Sequence, residues 1–109
     1  MRLLLDENLP KRLKLDFLEH EIYTVRDMQW NGVKNGPLLK LLLEKSFDAL
    51  LTYDKNLQHQ QNFSKYIITV FVLTAKINRY IELTKLTPYV KKYLNAENMP
   101  VGPIIIKEK

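Results

Sequence analysis

Cysteine is absent from this 109-residue chain, and glycine and histidine are scarce, with three and two residues. The absence of cysteine excludes a disulfide scaffold, a thiolate nucleophile and a cysteine-based zinc site. The two histidines, His20 and His59, lack the spacing of a zinc-binding pair, so we expect neither to bind metal. Gly32 and Gly36 do not form a phosphate-binding loop, because no Gly-Lys-Ser/Thr sequence follows them.

The sequence also lacks a long apolar run. The longest, residues 67–75, is about half of the ~20 residues that a membrane-spanning helix needs. The chain starts without a signal-peptide layout, and its 46% hydrophobic and 27% charged residues argue against disorder. A chain of this length usually forms one domain. We therefore expect a single cytoplasmic domain over residues 1–109, with no membrane partner.

Negative charge is scarce in the second half of the chain. Residues 1–60 carry nine basic and nine acidic side chains, whereas residues 61–109 carry eight basic and three acidic ones. The formal net charge of +5 therefore comes from the second half, which favours a polyanionic partner. The aspartates all lie in the first half: Asp6, Asp16, Asp27, Asp48 and Asp54.

Short apolar runs alternate with amphipathic stretches, a pattern that predicts an α/β fold with a mostly parallel sheet of four to five strands. One helix is predicted to start at Asn8 as its cap, with Pro10 in the first turn, and a second to start at Pro37. Further helices are predicted over residues 78–86, capped by Asn78, and from residue 87 onwards. Residues 56–62 are predicted to form a short helix or a loop. The predicted strands cover residues 3–5, 22–25, 48–52, 66–73 and 104–106.

Acidic side chains follow three of the predicted strands. The first strand leads into Asp6 and Glu7, the second into Asp27 and the third into Asp54. Ligands bind outside the carboxyl ends of parallel strands, so we expect these carboxylates to converge. Carboxylates held close together repel unless a cation neutralises them, and Mg²⁺ or Mn²⁺ prefers such oxygen ligands. The pattern predicts a metal-dependent nuclease in which the three aspartates bind the ion and Glu7 binds it or positions water.

Each of these aspartates also has an ordinary structural explanation. Asp6 fits the cap of the first helix, Asp27 fits a turn closure and Asp54 fits the cap of the next element. Asp16 lies inside a predicted helix and is interpreted as a solvated charge. The residues alone leave both explanations open.

The segments around the acids resemble the small PIN-like domain family, whose members are commonly described as predicted nucleases of toxin–antitoxin systems. The resemblance covers roughly residues 1–75 and is carried by the sequences LLDENLP at 4–10, TVRDM at 24–28, VKNG at 33–36 and LTYDKNL at 51–57. It implies a three-layer fold and a Mg²⁺ or Mn²⁺ site that cuts RNA with activated water. It also implies a cognate antitoxin protein, and dimers are common in the wider PIN class.

The resemblance assigns residues as well. Asp6 matches the first acid of the family, Asp54 matches the acid after the third strand, and Asp27 lies where relatives often have Asp or Glu. Relatives usually have an acid directly after the Asn-Gly pair, whereas this chain has Pro37 there. The acidic site is therefore expected to be one ligand short of the family pattern.

Three basic residues and one threonine that follow the acids or the fourth strand are the predicted substrate contacts. Lys55 follows Asp54, and Thr74, Lys76 and Arg79 follow the fourth strand, which a parallel sheet places beside the acids. We expect these four residues to bind the phosphate backbone of RNA.

Two other functions fit part of the sequence. A catalytically degenerate PIN-like module would bind RNA or a protein without cleavage. Phosphates would be bound by Lys76, Arg79, Lys85, Lys91 and Lys92, and bases would stack on Tyr80, Tyr89 and Tyr93. The ordinary explanation is that the tyrosines pack in the core and the lysines are solvated. A receiver-like phosphoacceptor domain shares the order of acids, but the interval after Asp54 is too short for its helix and strand.

Overall fold

A parallel sheet forms the centre of the protein. The computed structural model describes residues 1–33, 35–54 and 66–108, and within these ranges the sheet has five strands in the order β2-β1-β3-β4-β5. All neighbouring strands are parallel, which confirms the predicted α/β class and parallel sheet. The strands are β1 (Arg2–Leu5), β2 (Glu21–Thr24), β3 (Ala49–Thr52), β4 (Thr69–Leu73) and β5 (Gly102–Ile106).

Helical segments pack on both faces of the sheet. On one face, the core contains Leu13, Phe17 and Val90 from the helical segments together with Leu51 and Phe71 from the sheet. On the other face, the helix over Asn35–Glu44 packs against β1, β3 and β4. Strands covered on both faces are apolar along their whole length, which explains the continuous runs in β1, β3 and β4. The helical segments are the 3-10 helices η1 (Lys11–Phe17) and η2 (Thr84–Leu86) and the α-helices α1 (Asn35–Glu44), α2 (Tyr80–Leu83) and α3 (Thr87–Leu94).

The strand order defines a crevice between β1 and β3. The chain leaves β1 towards β2 at one edge of the sheet and leaves β3 towards β4 on the other side. Sheets of this kind bind ligands at the carboxyl ends of the strands where the direction reverses. In the described part of the chain, no helix combines the length and the apolar character that a bilayer crossing requires.

The two predicted asparagine caps are wrong. The first helix is a 3-10 helix whose cap position is Pro10, and α2 starts after Arg79, with no side-chain cap at either position. Asn8 accepts a hydrogen bond from the Tyr53 backbone N–H at its Oδ1 (3.3 Å). The Asn78 Nδ2 donates to the Asn8 carbonyl oxygen (2.6 Å), so both amides join loops that are distant in sequence.

Asp16 is a structural anchor and not a solvated charge. Its Oδ1 accepts a hydrogen bond from the Tyr80 hydroxyl (2.6 Å), and its Oδ2 accepts from the hydroxyls of Thr84 (2.6 Å) and Thr87 (2.8 Å). Burial acts to raise the pKa of Asp16, but these three donors and the nearby Lys91 outweigh it and hold the pKa below its ordinary value. One carboxylate therefore ties η1 to α2, η2 and α3.

We predict that Asp16→Asn lowers the free energy of unfolding by about 1–2 kcal/mol at pH 7, because it weakens charge-assisted hydrogen bonds between these elements. The folded-state pKa of Asp16 is lowered, so its stabilising contribution is present above the ordinary value of 3.8 and is lost as the pH falls through the folded-state pKa. Urea unfolding at pH 7 and at about pH 3 measures the effect, and the difference between variant and wild type should shrink at the lower pH.

Glu19→Gln is the matched control for this prediction. The Glu19 Oε1 lies 2.8 Å from the Lys91 Nζ and links the turn after η1 to α3, but the pair is exposed to solvent. Exposed ion pairs contribute little to stability, so the urea midpoint should hardly change. Equal effects of the two substitutions would contradict the anchoring role of Asp16.

Candidate functional site

Asp6 lies at the carboxyl end of β1, beside the crevice. Its backbone N–H donates to the Leu51 carbonyl oxygen (2.9 Å), which keeps it in register with β3. The residue is 9% exposed. Its Oδ1 accepts from the Glu7 backbone N–H (2.8 Å) and its Oδ2 accepts from the Thr52 hydroxyl (2.7 Å). The position of the carboxylate is therefore fixed by the strand behind it and by one donor to each oxygen.

The hydroxyl of Thr52 connects the ends of β1 and β3. Thr52 is fully buried and, besides donating to Asp6, its Oγ1 accepts a hydrogen bond from the Asp54 backbone N–H (3.1 Å). Asp6 and Asp54 thus lie on the two strands that border the crevice, as the sequence predicts.

The acids around Asp6 perturb its ionisation. Burial is the largest cause and raises the pKa of Asp6, and the negative charges of Glu7 and Asp54 raise it further. The hydrogen bonds from Thr52 and from the Glu7 N–H act in the opposite direction without cancelling the effect. Ionisation of Asp6 in the folded protein is therefore unfavourable, and a cation bound beside the carboxylate would favour the ionised form.

Asp27 has a different environment. Its Oδ2 lies 2.7 Å from the Lys14 Nζ and also accepts from the Thr24 backbone N–H (2.9 Å). Its own N–H donates to the Thr24 hydroxyl (3.0 Å), which closes the turn after β2. The bond to Lys14 is the main cause of a lowered pKa at Asp27. A lysine of this chain already neutralises the carboxylate.

The structure brings together only part of the predicted ligand set. The negative charges of Glu7 and Asp54 raise the pKa of Asp6, whereas the carboxylate of Asp27 forms an ion pair with Lys14. Among the residues that the structure describes, no three aspartate, glutamate or histidine side chains form a group able to hold one ion. Asp6 and Asp54 are therefore the two predicted ligands that the structure shows to influence one another.

A cavity of about 290 Å³ opens beside Asp6 and Glu7 and has a basic lining that the sequence interpretation missed. Lys11, Arg26 and Asn31 line it together with the two acids. Lys11 directly follows the LLDENLP segment and Arg26 directly precedes Asp27. Their positions after the first and second strands are the sequence feature that could have indicated this basic lining. Within the described ranges, neither Lys11 nor Arg26 has an ion-pair partner.

Three of the predicted substrate contacts, Thr74, Lys76 and Arg79, do not line this cavity. The Thr74 hydroxyl and N–H both donate to the Ile106 carbonyl oxygen (2.8 and 3.0 Å), so this side chain joins β4 to β5. Lys76 lines a second cavity of about 330 Å³, and Arg79 is exposed immediately before α2. Lys55 is outside the described residues, as is the predicted element at 56–62. Lys76 and Arg79 follow β4 as expected, but Lys76 faces a different cavity from Asp6.

No protein-family model matches the chain, and comparisons with curated proteins and with solved structures find no significant match. The resemblance to the small PIN-like family therefore stays a prediction that rests on the four sequence segments.

We predict that Asp6→Asn raises the free energy of unfolding at pH 7. The folded-state pKa of Asp6 is raised, so the carboxyl favours folding only at low pH, below its ordinary value of 3.8, and this contribution is lost as the pH rises through the folded-state pKa. The neutral amide avoids that loss, which amounts to about 1.4 kcal/mol for every tenfold difference between the folded-state and unfolded-state acid dissociation constants. Thermal unfolding at pH 7 and about pH 3 measures the gain, which should disappear at pH 3.

Thr52→Val provides the opposite test at the same site. It removes the hydroxyl that favours the charged form of Asp6, so the pKa of Asp6 should rise further and stability at pH 7 should fall. A carboxyl ¹³C titration by NMR reads the pKa directly. Destabilisation at pH 7 by Asp6→Asn as well would contradict the raised pKa.

Proposed function

We propose that the protein is a Mg²⁺- or Mn²⁺-dependent endoribonuclease with a three-layer PIN-like fold. The observation that carries the proposal is the buried carboxylate of Asp6 at the β1–β3 crevice, with its pKa raised by burial and by Glu7 and Asp54. Perturbed acids at such a position are characteristic of functional sites. Helical segments pack against both faces of the sheet, which supports this proposal.

Asp6 and Asp54 would hold the ion from the two sides of the crevice. Each Asp6 oxygen accepts one hydrogen bond from the protein, which leaves a lone pair on each for a metal. When bound, the ion supplies a water of lowered pKa and positive charge for the phosphate. Thr52 keeps the Asp6 carboxylate in place, and the exposed Glu7 carboxylate is positioned to accept a proton from water. Asp27 joins the ligands only if its ion pair with Lys14 opens.

RNA is the substrate that fits the charges of this site. Lys11 and Arg26 place two positive groups in the same cavity as Asp6, where a phosphodiester has to lie for attack. The net charge of +5 adds a general attraction for polyanions. The role of a cytoplasmic toxin with a cognate antitoxin rests on the family resemblance alone.

We expect the purified protein to cleave single-stranded RNA with Mn²⁺ or Mg²⁺ and to lose this activity in EDTA. Asp6→Asn and Asp54→Asn should each lower the cleavage rate about 100-fold or more, because each removes a ligand charge. Asp48→Asn is the matched control, since Asp48 precedes β3 at the opposite end of the sheet. Equal cleavage by wild type and Asp6→Asn would refute the assignment.

Asp27→Asn distinguishes two forms of the site. A loss as large as that of Asp6→Asn would make Asp27 a third ligand. A small loss would leave it as the turn closure and the partner of Lys14, which is the result that the 2.7 Å ion pair leads us to expect.

A binding function without cleavage is the second candidate, and one observation favours it. Asp27 is neutralised by Lys14, and the exposed Pro37 in the first turn of α1 has no carboxylate to offer where the family has an acid. The site therefore has two fewer free acids than the family pattern implies. RNA affinity that is unchanged in Asp6→Asn, with no cleavage under either metal, would establish this function.

We predict that Lys11→Ala and Arg26→Ala each weaken RNA binding about tenfold, and that Lys76→Ala and Arg79→Ala have smaller effects. Lys11 and Arg26 line the cavity that contains Asp6, whereas Lys76 lines another one. Fluorescence anisotropy with labelled RNA in the Asp6→Asn background measures affinity without cleavage. The reverse ranking would place the substrate over β4, as the sequence interpretation has it.

A further inference from the structure

Asn8 connects the loops that follow β1, β3 and β4. Its side-chain Oδ1 accepts a hydrogen bond from the Tyr53 backbone N–H (3.3 Å), and its backbone carbonyl oxygen accepts one from the Asn78 Nδ2 (2.6 Å). The side chain is exposed and does not cap the 3-10 helix that follows it. Both bonds therefore join loops, and Asp54, the second predicted ligand, directly follows Tyr53 in one of them.

The Asn8 side chain stands where the strand ladder has no backbone acceptor. In a continuous parallel ladder, the bond from the Asp6 N–H to the Leu51 carbonyl oxygen (2.9 Å) is followed by a bond from the Tyr53 N–H to the Asp6 carbonyl oxygen. The chain turns after β1, however, and the Asp6 carbonyl oxygen accepts from the Leu9 N–H (3.0 Å). The Asn8 Oδ1 accepts from Tyr53 in its place. The side chain thus extends the pairing of β1 with β3 by one step.

This step determines where the backbone before Asp54 lies. The N–H of Tyr53 is held by Asn8, and the next N–H, that of Asp54, donates to the Thr52 hydroxyl oxygen (3.1 Å). The Thr52 hydroxyl in turn donates to the Asp6 Oδ2 (2.7 Å). Loops place functional groups less precisely than strands unless hydrogen bonds from supporting residues fix them. The position of Asp54 relative to Asp6 is therefore set by Asn8 on one side and by Thr52 on the other.

The loop after β4 holds Asn8 and Tyr53 from the opposite side. Asn78 donates to the Asn8 carbonyl oxygen although 70 residues separate the two, and the Tyr53 hydroxyl donates to the Ala75 carbonyl oxygen (2.6 Å). Asn8 and Asn78 are both exposed, so water can replace these bonds when the chain unfolds and their net contribution to stability is small. Their effect is to fix the arrangement of three loops at the carboxyl end of the sheet.

We propose that Asn8 is a positioning residue of the metal site, which holds the backbone before Asp54 so that its carboxylate stays beside that of Asp6, and that Asn78 fixes Asn8 for this role. The inference rests on the proposed metal-dependent function and adds how the two ligands are held. Removal of groups that orient metal ligands typically lowers metal affinity or activity about 10- to 100-fold. Asn8 acts through Asp54 and does not have to touch the ion or the RNA.

Amide hydrogen exchange and Mn²⁺ titration of the full chain test the proposal without cleavage. In Asn8→Ala the Tyr53 N–H loses its acceptor, so its exchange should be about tenfold faster and the Mn²⁺ affinity should fall about tenfold. Asn8→Asp keeps an oxygen acceptor and adds a negative charge, so Tyr53 should stay protected and Mn²⁺ should bind at least as tightly as to wild type. Asn98→Ala, at an exposed asparagine before β5 at the opposite end of the sheet, is the matched control and should change neither value.

RNA cleavage separates positioning from substrate binding. Asn8→Ala should lower kcat about tenfold and leave KM within about twofold, because Lys11 and Arg26 line a cavity that Asn8 does not line. Asn78→Ala should lower kcat by a smaller factor, about threefold. If Asn78 acts through Asn8, its substitution in the Asn8→Ala background should cause no further loss, which a double-mutant cycle detects.

Three results would overturn the proposal: unchanged exchange of Tyr53 in Asn8→Ala, equal Mn²⁺ affinity of Asn8→Ala and wild type, or an equal loss in Asn98→Ala. Additive losses in the double variant would overturn the role of Asn78. A lower urea midpoint in Asn8→Ala with unchanged Mn²⁺ affinity and kcat would make Asn8 an ordinary loop closure. Wild type that binds no Mn²⁺ would refute the nuclease together with this proposal, whereas equal cleavage by wild type and Asn8→Ala would refute this proposal alone.

Discussion

Burial of both faces of the central strands is the constraint on which the rest of the structure depends. β1, β3 and β4 lie between two apolar cores, so their side chains have no access to water along the strands. Polar groups are confined to the strand ends, and the buried ones have partners there: the hydroxyl of Thr69 donates to the Pro100 carbonyl oxygen (2.6 Å), and that of Thr52 donates to Asp6. The buried polar side chains of the central strands are thereby restricted to the two ends of the sheet.

The sequence predicts what depends on local pattern. The strands and the positions of Asp6 and Asp54 follow from apolar runs and from what comes directly after them. The structure adds contacts between residues far apart in the chain, such as Asp16 with Thr87 or Asn8 with Asn78. Nothing in the neighbourhood of Asp16 indicates three hydroxyl donors more than 60 residues away. A sequence pattern that correctly places a residue after a strand therefore does not predict which hydrogen-bond partners its side chain has.

Asp27 and Arg26 illustrate the same limit at the candidate site. Both follow β2, and the sequence interpretation favours the acid because two other strands end in acids. In the structure Lys14 neutralises Asp27, and Arg26 lines the cavity beside Asp6. The division into an aspartate-rich first half and a basic second half therefore does not describe the site. The first half supplies Asp6 and Glu7 and also Lys11 and Arg26, which line the same cavity.

Pro103 on β5 has a consequence for self-association. Two copies of a protein can pair edge strands and extend a sheet across a two-fold axis, which requires donors and acceptors on both outer edges. On the outer edge of β5 the proline provides a carbonyl but no N–H, so a symmetric β5–β5 ribbon would leave two carbonyls without a donor. Symmetric pairing of two copies through the β5 edge is thus disfavoured by the missing N–H donors.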